Sequence, residues 1–300
     1  MNIFITGGTG LIGKHLIAAL QPDHQCTVLT RDPEKAASVL PESVTFITTL
    51  HEVPDFSVFD GVINLAGEPI ADKRWSSLQK QRICQSRWDL TTQLVDRITH
   101  CKQPPSVFLS GSAIGFYGRQ GDEKVTEDTY TVHPEFSHEV CQRWEKIASE
   151  AASDSTRVCL LRTGVVLDKA QGALPKMALP VKLGLGGKIG HGKQYLSWIH
   201  IDDMVSAILF LLQNPHCQGP YNLTAPHPQS NANFTKTLAS VLNRPAFFTV
   251  PTFVLSIMMG ESAELVTTGQ YVEPQKLRQA GFSFQYPSLP NALSQIYAKA

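Results

Sequence analysis

The opening of the chain, Met1-Asn2-Ile3-Phe4-Ile5-Thr6-Gly7-Gly8-Thr9-Gly10-Leu11-Ile12-Gly13-Lys14, limits the possible folds more than any other stretch. Ile3 to Ile5 is a short apolar run that reads as a buried strand. Gly7, Gly10 and Gly13 follow at intervals of three, and Leu11, Ile12, His15, Leu16 and Leu20 then recur with helical spacing. A strand, a glycine turn and a helix in that order form a phosphate cradle. The glycines let a pyrophosphate approach bare backbone, and the helix N-terminus offers it free N–H groups and the positive end of a dipole. Gly7, Thr9, Gly10, Leu11, Ile12 and Gly13 are therefore candidate cofactor contacts.

Three hundred residues suffice for one large α/β domain or a domain with a smaller appendage. Lys+Arg and Asp+Glu both number 26, which removes the net electrostatic footprint expected of a partner for nucleic acid or an anionic membrane. The six cysteines are scattered without a C-x-x-C or a nearby histidine cluster. Neither a metal site nor a disulfide framework is expected, and a reducing, cytoplasmic location fits best. The chain opens directly into a strand with no leader-like region, and no apolar run approaches the ~20 residues that span a bilayer.

After the first helix, Gln25 to Thr30 reads as a second strand, ending in Arg31-Asp32-Pro33, with a short helix from Glu34 to Leu40. The residue just past this strand faces the adenosine ribose in dinucleotide-binding folds. An acid there binds a free 2′-hydroxyl, and an arginine accommodates a 2′-phosphate. Arg31 comes first, which favours NADP, while Asp32 one position later argues for NAD. Val44 to Ile47 and Phe59 to Leu65 are the next strands, the latter running into Ala66-Gly67-Glu68. Leu65, Ala66, Gly67 and Glu68 are thus placed for a flat group to lie against backbone. Trp75 to Ile98 reads as a long helix, or two, carrying Arg82 and Arg87. Arg82 is a candidate phosphate contact, although the default for either arginine alone is a solvated face.

Ser106 to Ser110 is a fifth strand ending in Ser110-Gly111-Ser112-Ala113-Ile114-Gly115-Phe116-Tyr117-Gly118, where small and hydroxylated residues suit a substrate oxygen. Ser110 is a candidate cofactor contact. An amphipathic helix over Glu135 to Ala152 and a sixth strand from Arg157, continuing through Leu167, complete this rhythm. Gly172 to Lys193 is glycine-rich, with Lys176, Lys182, Lys188 and Lys193. It reads as a loop, either plain surface or a basic rim over an anionic, phosphate-bearing substrate. Ser197 to Asp203 is a strand entering a helix capped by Asp202 or Asp203, and further helices are expected over Phe234 to Leu242, Thr252 to Met259 and Leu289 to Ala298.

These segments together resemble the extended short-chain dehydrogenase/reductase superfamily. Thr6 to Gly13 is similar to its cofactor motif, Asn64-Leu65-Ala66-Gly67 to its post-strand motif, Ser110 to Gly118 to its serine strand, and Trp198 to Asp203 to its late strand-to-helix segment. Leu65 to Ile70, Arg82 to Arg87, Glu139 to Glu145, and the tail from Gly260 to Phe282 resemble the NAD(P)-dependent nucleotide-sugar epimerase-like subfamily. The resemblance implies a Rossmann-type, doubly wound parallel sheet over residues 1–167, with 197–225 a candidate to complete it, and a smaller, mainly substrate-binding C-terminal region over 168–300. It implies an NAD(P) cofactor, for which Arg31 favours NADP with NAD the alternative, and a small-molecule substrate. Extended members of the superfamily often form homodimers, which the resemblance would place on the helices near Trp75 to Ile98 and Glu135 to Ala152.

The superfamily's Tyr-x-x-x-Lys pair does not carry over. The lysine lowers the tyrosine pKa so that the phenol can exchange a proton while hydride moves. Counting back from Glu145, the lysine slot falls on Cys141 and the tyrosine slot on Ser137, and no Tyr-x-x-x-Lys occurs in the chain. Ser112 and Tyr117 remain as candidate catalytic groups, with His138 a third. The functional reading is an NADP-dependent oxidoreductase or nucleotide-sugar epimerase-like protein with a non-standard site. The alternative is a non-catalytic NADP(H)-binding regulatory or interaction protein.

Overall fold

A computed structural model describes residues 1–21, 23–129 and 131–298. Seven parallel strands form one sheet: β1 (Asn2–Thr6), β2 (Gln25–Leu29), β3 (Thr45–Ile47), β4 (Gly61–Asn64), β5 (Val107–Ala113), β6 (Arg157–Thr163) and β7 (Gly219–Leu223), in the spatial order β3-β2-β1-β4-β5-β6-β7. The chain winds outward from β1 to β3, then crosses back to β4 and continues the other way. The switch between β1 and β4 opens a crevice at their carboxyl ends, where such sheets bind ligands.

Both faces of the sheet are buried, so the strands read as nearly continuous apolar runs. Ile3, Ile5, Ile63 and Leu109 pack on one face against α1 (Leu11–Leu20) and the helix Ile201–Gln213, through Leu16, Ile17, Met204 and Ile208. Phe4, Val62 and Phe108 pack on the other against α2 (Ser77–Thr99) and α3 (Phe136–Ser149), through Leu94, Ile98 and Ala148. α2 is one continuous helix, started by Ser76, whose hydroxyl accepts from the Gln79 N–H at 3.2 Å.

The remaining chain forms a smaller apolar cluster with its own centre, including Leu174, Ala178, Val181, Trp198, Phe234, Leu238 and Leu293. Here the structure corrects three expectations. Gly172 to Lys193 is not simply a loop: Ala173–Lys182 is a helix, α4, because Leu174, Ala178 and Val181 bury one face, a period that the surrounding glycines obscure. The helix Ile201–Gln213, α5, is capped by His200, whose Nδ1 accepts from the Asp202 N–H at 3.1 Å. Asp203 is buried instead and accepts from the Gln285 and Tyr286 N–H groups at 2.7 and 2.9 Å. Finally, β5 runs on to Ala113 because it pairs with β6 along its whole length, so Ser110 lies mid-strand and Ser112 near the end. Helices α6 (Asn231–Val241), α7 (Thr252–Met259) and α8 (Leu289–Tyr297) follow.

Candidate cofactor and substrate site

The glycine turn joins β1 to α1 at the switch point. Gly7 has φ +72°, and a Cβ on it would lie 2.6 Å from the Leu65 carbonyl carbon. A Cβ on Gly13 would lie 2.3 Å from the Gly7 carbonyl oxygen, so the helix can start this close to the turn only without a side chain there. The Gly10 N–H closes the turn on Gly7 O at 3.0 Å. No side chain caps α1 and no acid lies in its first turn. Its first N–H groups and its dipole are therefore available to an anion. Thr9 and Gly10 are exposed, while Leu11 and Ile12 are half-buried.

A buried polar chain fixes the opposite wall. The Thr6 hydroxyl donates to Asn64 Oδ1 at 2.6 Å and accepts from the Ala66 N–H at 3.2 Å. The Asn64 amide donates to Thr91 Oγ1 at 2.9 Å, which also receives the Trp144 indole N–H at 2.8 Å. Glu68 is held at both ends of its peptide. Its N–H donates to Ser86 Oγ at 2.9 Å, and its carbonyl accepts from Arg87 Nη1 at 3.0 Å. The Arg87 guanidinium reaches this position only because residue 67 is glycine, where a Cβ would lie 2.8 Å from Cζ. Burial lowers the Arg87 pKa from its ordinary value. The default expectation of a solvated Arg87 is thus corrected, whereas Arg82 lies on the exposed side of α2. The two are five residues apart, so they project from different sides of the helix.

Arg31 is exposed just beyond β2, and its charge reaches Glu68. The Glu68 carboxyl is held below its ordinary range mainly by hydrogen bonds from Gln79 and Lys73, with Arg31 adding a smaller pull. Asp32 is engaged elsewhere: it caps the short helix Pro33–Ala37, accepting from the Lys35 N–H at 3.0 Å. That cap engages one of its two carboxylate oxygens, whereas Arg31 precedes it at the strand end.

At the β5 end, Ser110 is fully buried and its hydroxyl has no hydrogen-bond partner among the described residues. Ser112 donates to Glu145 Oε1 at 2.6 Å. Glu145 in turn is clasped by Arg162, from Nε to Oε1 and Nη2 to Oε2, both at 2.8 Å. The third Arg162 nitrogen donates to the Tyr117 hydroxyl at 2.9 Å, and Tyr117 donates onward to Asn222 Oδ1 at 2.8 Å. Tyr117 is 0% exposed, and burial pushes its phenol up to about 12. The Glu145–Arg162 pair was invisible in sequence because its partners come from α3 and β6. The only local hint is an arginine in the middle of an apolar strand. Ser137, Cys141 and Glu145 share one buried helix face, and burial pushes the Cys141 thiol up to about 11. The His138 ring contacts the Phe116 carbonyl.

Of the lysines in the glycine-rich segment, Lys176 meets Asp72, which follows the Glu68 loop, while Lys182 lies over the Tyr297 ring. Among the described residues no group of three or more His, Cys, Asp or Glu could hold a metal. No helix there is long and apolar enough to cross a membrane.

Residues 3–224 match the NAD dependent epimerase/dehydratase family, and residues 250–296 match a domain of unknown function, DUF1731. The epimerase family protein YfhF of Bacillus subtilis is 37% identical over 306 residues, covering 99% of this chain and 98% of YfhF. The crystal structure of human epimerase family protein SDR39U1 (isoform 2), determined with NADPH, is 31% identical with a TM-score of 0.90, covering 99% of each chain. The nucleoside-diphosphate sugar epimerase of Corynebacterium glutamicum is 30% identical with a TM-score of 0.78, over 98% of this chain and 57% of that one. The chain belongs to the NAD dependent epimerase/dehydratase family, within the extended short-chain dehydrogenases/reductases.

Proposed function

We propose that this protein binds NADPH along the carboxyl edge of its sheet and uses it as an oxidoreductase on a small molecule. The carrying observation is the bare glycine cradle with Arg31 exposed at the β2 end and Asp32 committed to a helix cap. Gly7, Thr9, Gly10, Leu11, Ile12 and Gly13 would hold the pyrophosphate, and Arg31 the 2′-phosphate. Leu65, Ala66, Gly67 and Glu68 would form the wall against the rest of the cofactor, with Ser110 beneath it. The presence of NADPH in the human SDR39U1 crystal supports the same choice. When bound, the cofactor supplies hydride.

The Ser112 hydroxyl donates its one hydrogen bond to Glu145, which leaves its lone pairs to accept from a substrate hydroxyl. Glu145 and Arg162 fix the direction of that oxygen. Tyr117 is sealed between Arg162 and Asn222, so its part is to hold Arg162 rather than to exchange protons. The substrate proton would then come from water or from the substrate itself, which restricts the reaction to acceptors needing little acid catalysis. A second reading, NADP(H) binding without turnover, is favoured by the same sealed phenol and by Ser137 and Cys141 in the catalytic slots.

Incubation of the protein and NADPH with carbonyl compounds and nucleotide-sugars separates the two. The enzyme reading predicts cofactor oxidation or epimer exchange on at least one compound, with a lower kcat in Ser112→Ala. NADPH binding without turnover on any of them would leave the second reading.

A further inference from the structure

Helix α7 breaks the rule that a mostly apolar helix is buried. Its sequence, Thr-Phe-Val-Leu-Ser-Ile-Met-Met, contains no buried residue, and Phe253, Ile257 and Met258 are 64, 67 and 66% exposed. Just before it, Phe247 is 87% exposed and Phe248 is half exposed. The strand Phe248–Val250 pairs with Gly187–Ile189, and Arg244 Nε donates to the Lys182 carbonyl at 3.3 Å. These bonds hold the backbone of Gly186 and Gly187, next to exposed Leu183 and Leu185, against that of Phe248, so exposed apolar residues of both segments lie close together in the fold. The far end of α7 is fixed to the loop after Glu68, where Arg74 donates to the Met258 carbonyl at 2.9 Å and to the Ile257 carbonyl. A patch of this kind marks a contact with something outside the chain.

Charge decides what that is. The two segments that build the surface, 172–193 and 244–259, contain not one Asp or Glu, and besides Lys176, which pairs with Asp72, they carry Lys182, Lys188, Lys193 and Arg244. A chain with equal acidic and basic totals has therefore segregated them, leaving its remainder net acidic. A two-fold pairing of this face with a second copy would set cations against cations. Projecting aromatic and aliphatic side chains among basic ones suit the headgroup region of an anionic bilayer, where the apolar groups enter the interface and the cations meet lipid phosphates. We propose that this face docks the protein peripherally on an anionic lipid surface.

The test is co-sedimentation of the full chain with phosphatidylcholine vesicles prepared with and without phosphatidylglycerol. Binding is expected only when the anionic lipid is present. Phe247→Ser with Phe253→Ser should weaken it about tenfold or more, and Lys182→Gln or Arg244→Gln about fivefold each. All variants should retain wild-type NADPH titrations, which shows that they are folded. Three results would overturn the proposal. One is no sedimentation with either vesicle, and another is equal binding to both. The third is a concentration-dependent dimer, seen by light scattering, that Phe253→Asp dissociates, which would assign the face to a second copy.

Discussion

Replacing Gly13 with alanine places a methyl carbon 2.3 Å from the Gly7 carbonyl oxygen and 2.7 Å from the Gly8 Cα. Both neighbours are backbone, so no side chain can swing aside. Restoring ordinary contact requires the start of α1 to retreat from the turn by about 1 Å in a tightly packed region. That movement strains the 3.0 Å bond from the Gly10 N–H to Gly7 O and draws the first-turn N–H groups away from the anion. Overpacking of this kind costs about 1–3 kcal/mol of stability. Loss of one charge-assisted hydrogen bond to a pyrophosphate costs about 1.5–3 kcal/mol of binding, so the NADPH Kd should rise about 10–100-fold. Gly10→Ala provides the graded control, since its methyl would stand 3.2 Å from the same oxygen and needs a shift of only tenths of an ångström. It should cost far less stability, although its methyl, on the exposed side of the turn, would also meet the pyrophosphate. Fluorescence titration with NADPH gives the affinities, and circular dichroism with thermal melting verifies the fold. A Gly13→Ala protein with native melting and wild-type NADPH affinity would refute the cradle.

The buried network makes two further predictions. Arg162→Leu strips Glu145 of both its cationic donors and should cost about 3–5 kcal/mol in urea unfolding, and a loss below about 1 kcal/mol, the scale of an exposed pair, would show that Glu145 is not a buried partnered carboxylate. Glu127, buried under Asn222, has its carboxyl raised by desolvation although the Asn222 and Lys276 N–H groups donate to it at 2.9 and 3.2 Å. A folded pKa above the unfolded value of about 4.3 contributes stability at low pH, and that contribution is lost as pH rises through the folded pKa. Unfolding free energy should therefore fall less in Glu127→Gln than in the wild type across the weakly acidic range, and parallel pH profiles for the two proteins would contradict this.

What could be read in the chain beforehand follows the range of the forces involved. The glycine turn is a local steric demand, written in Gly7, Gly10 and Gly13 and in the apolar residues on either side. The parallel sheet follows because strands buried on both faces stay apolar throughout. Positions whose role depends on a distant partner were not legible. Asp203 looked like a helix cap but answers the Gln285 and Tyr286 N–H groups from the end of the chain. Arg87 looked solvated because nothing nearby reveals that Glu68 and Trp144 converge on it. Tyr117 was attractive as a phenol beside a serine strand, and only Arg162 and Asn222, from β6 and β7, reveal how it is enclosed. Glycines in 172–193 disguised a helix whose apolar face is set by contacts with later segments.

The central claim is that the cradle at Gly7 to Gly13 holds a dinucleotide whose 2′-phosphate meets Arg31. Parallel fluorescence titrations of wild-type protein with NADPH and NADH test it most directly, with Arg31→Ala measured alongside. NADPH should bind about 10–100-fold more tightly than NADH, the value of one charge-assisted contact, and Arg31→Ala should erase the difference while leaving NADH unchanged. Equal affinity of the wild-type protein for the two cofactors, or an equal loss for both in Arg31→Ala, would contradict it.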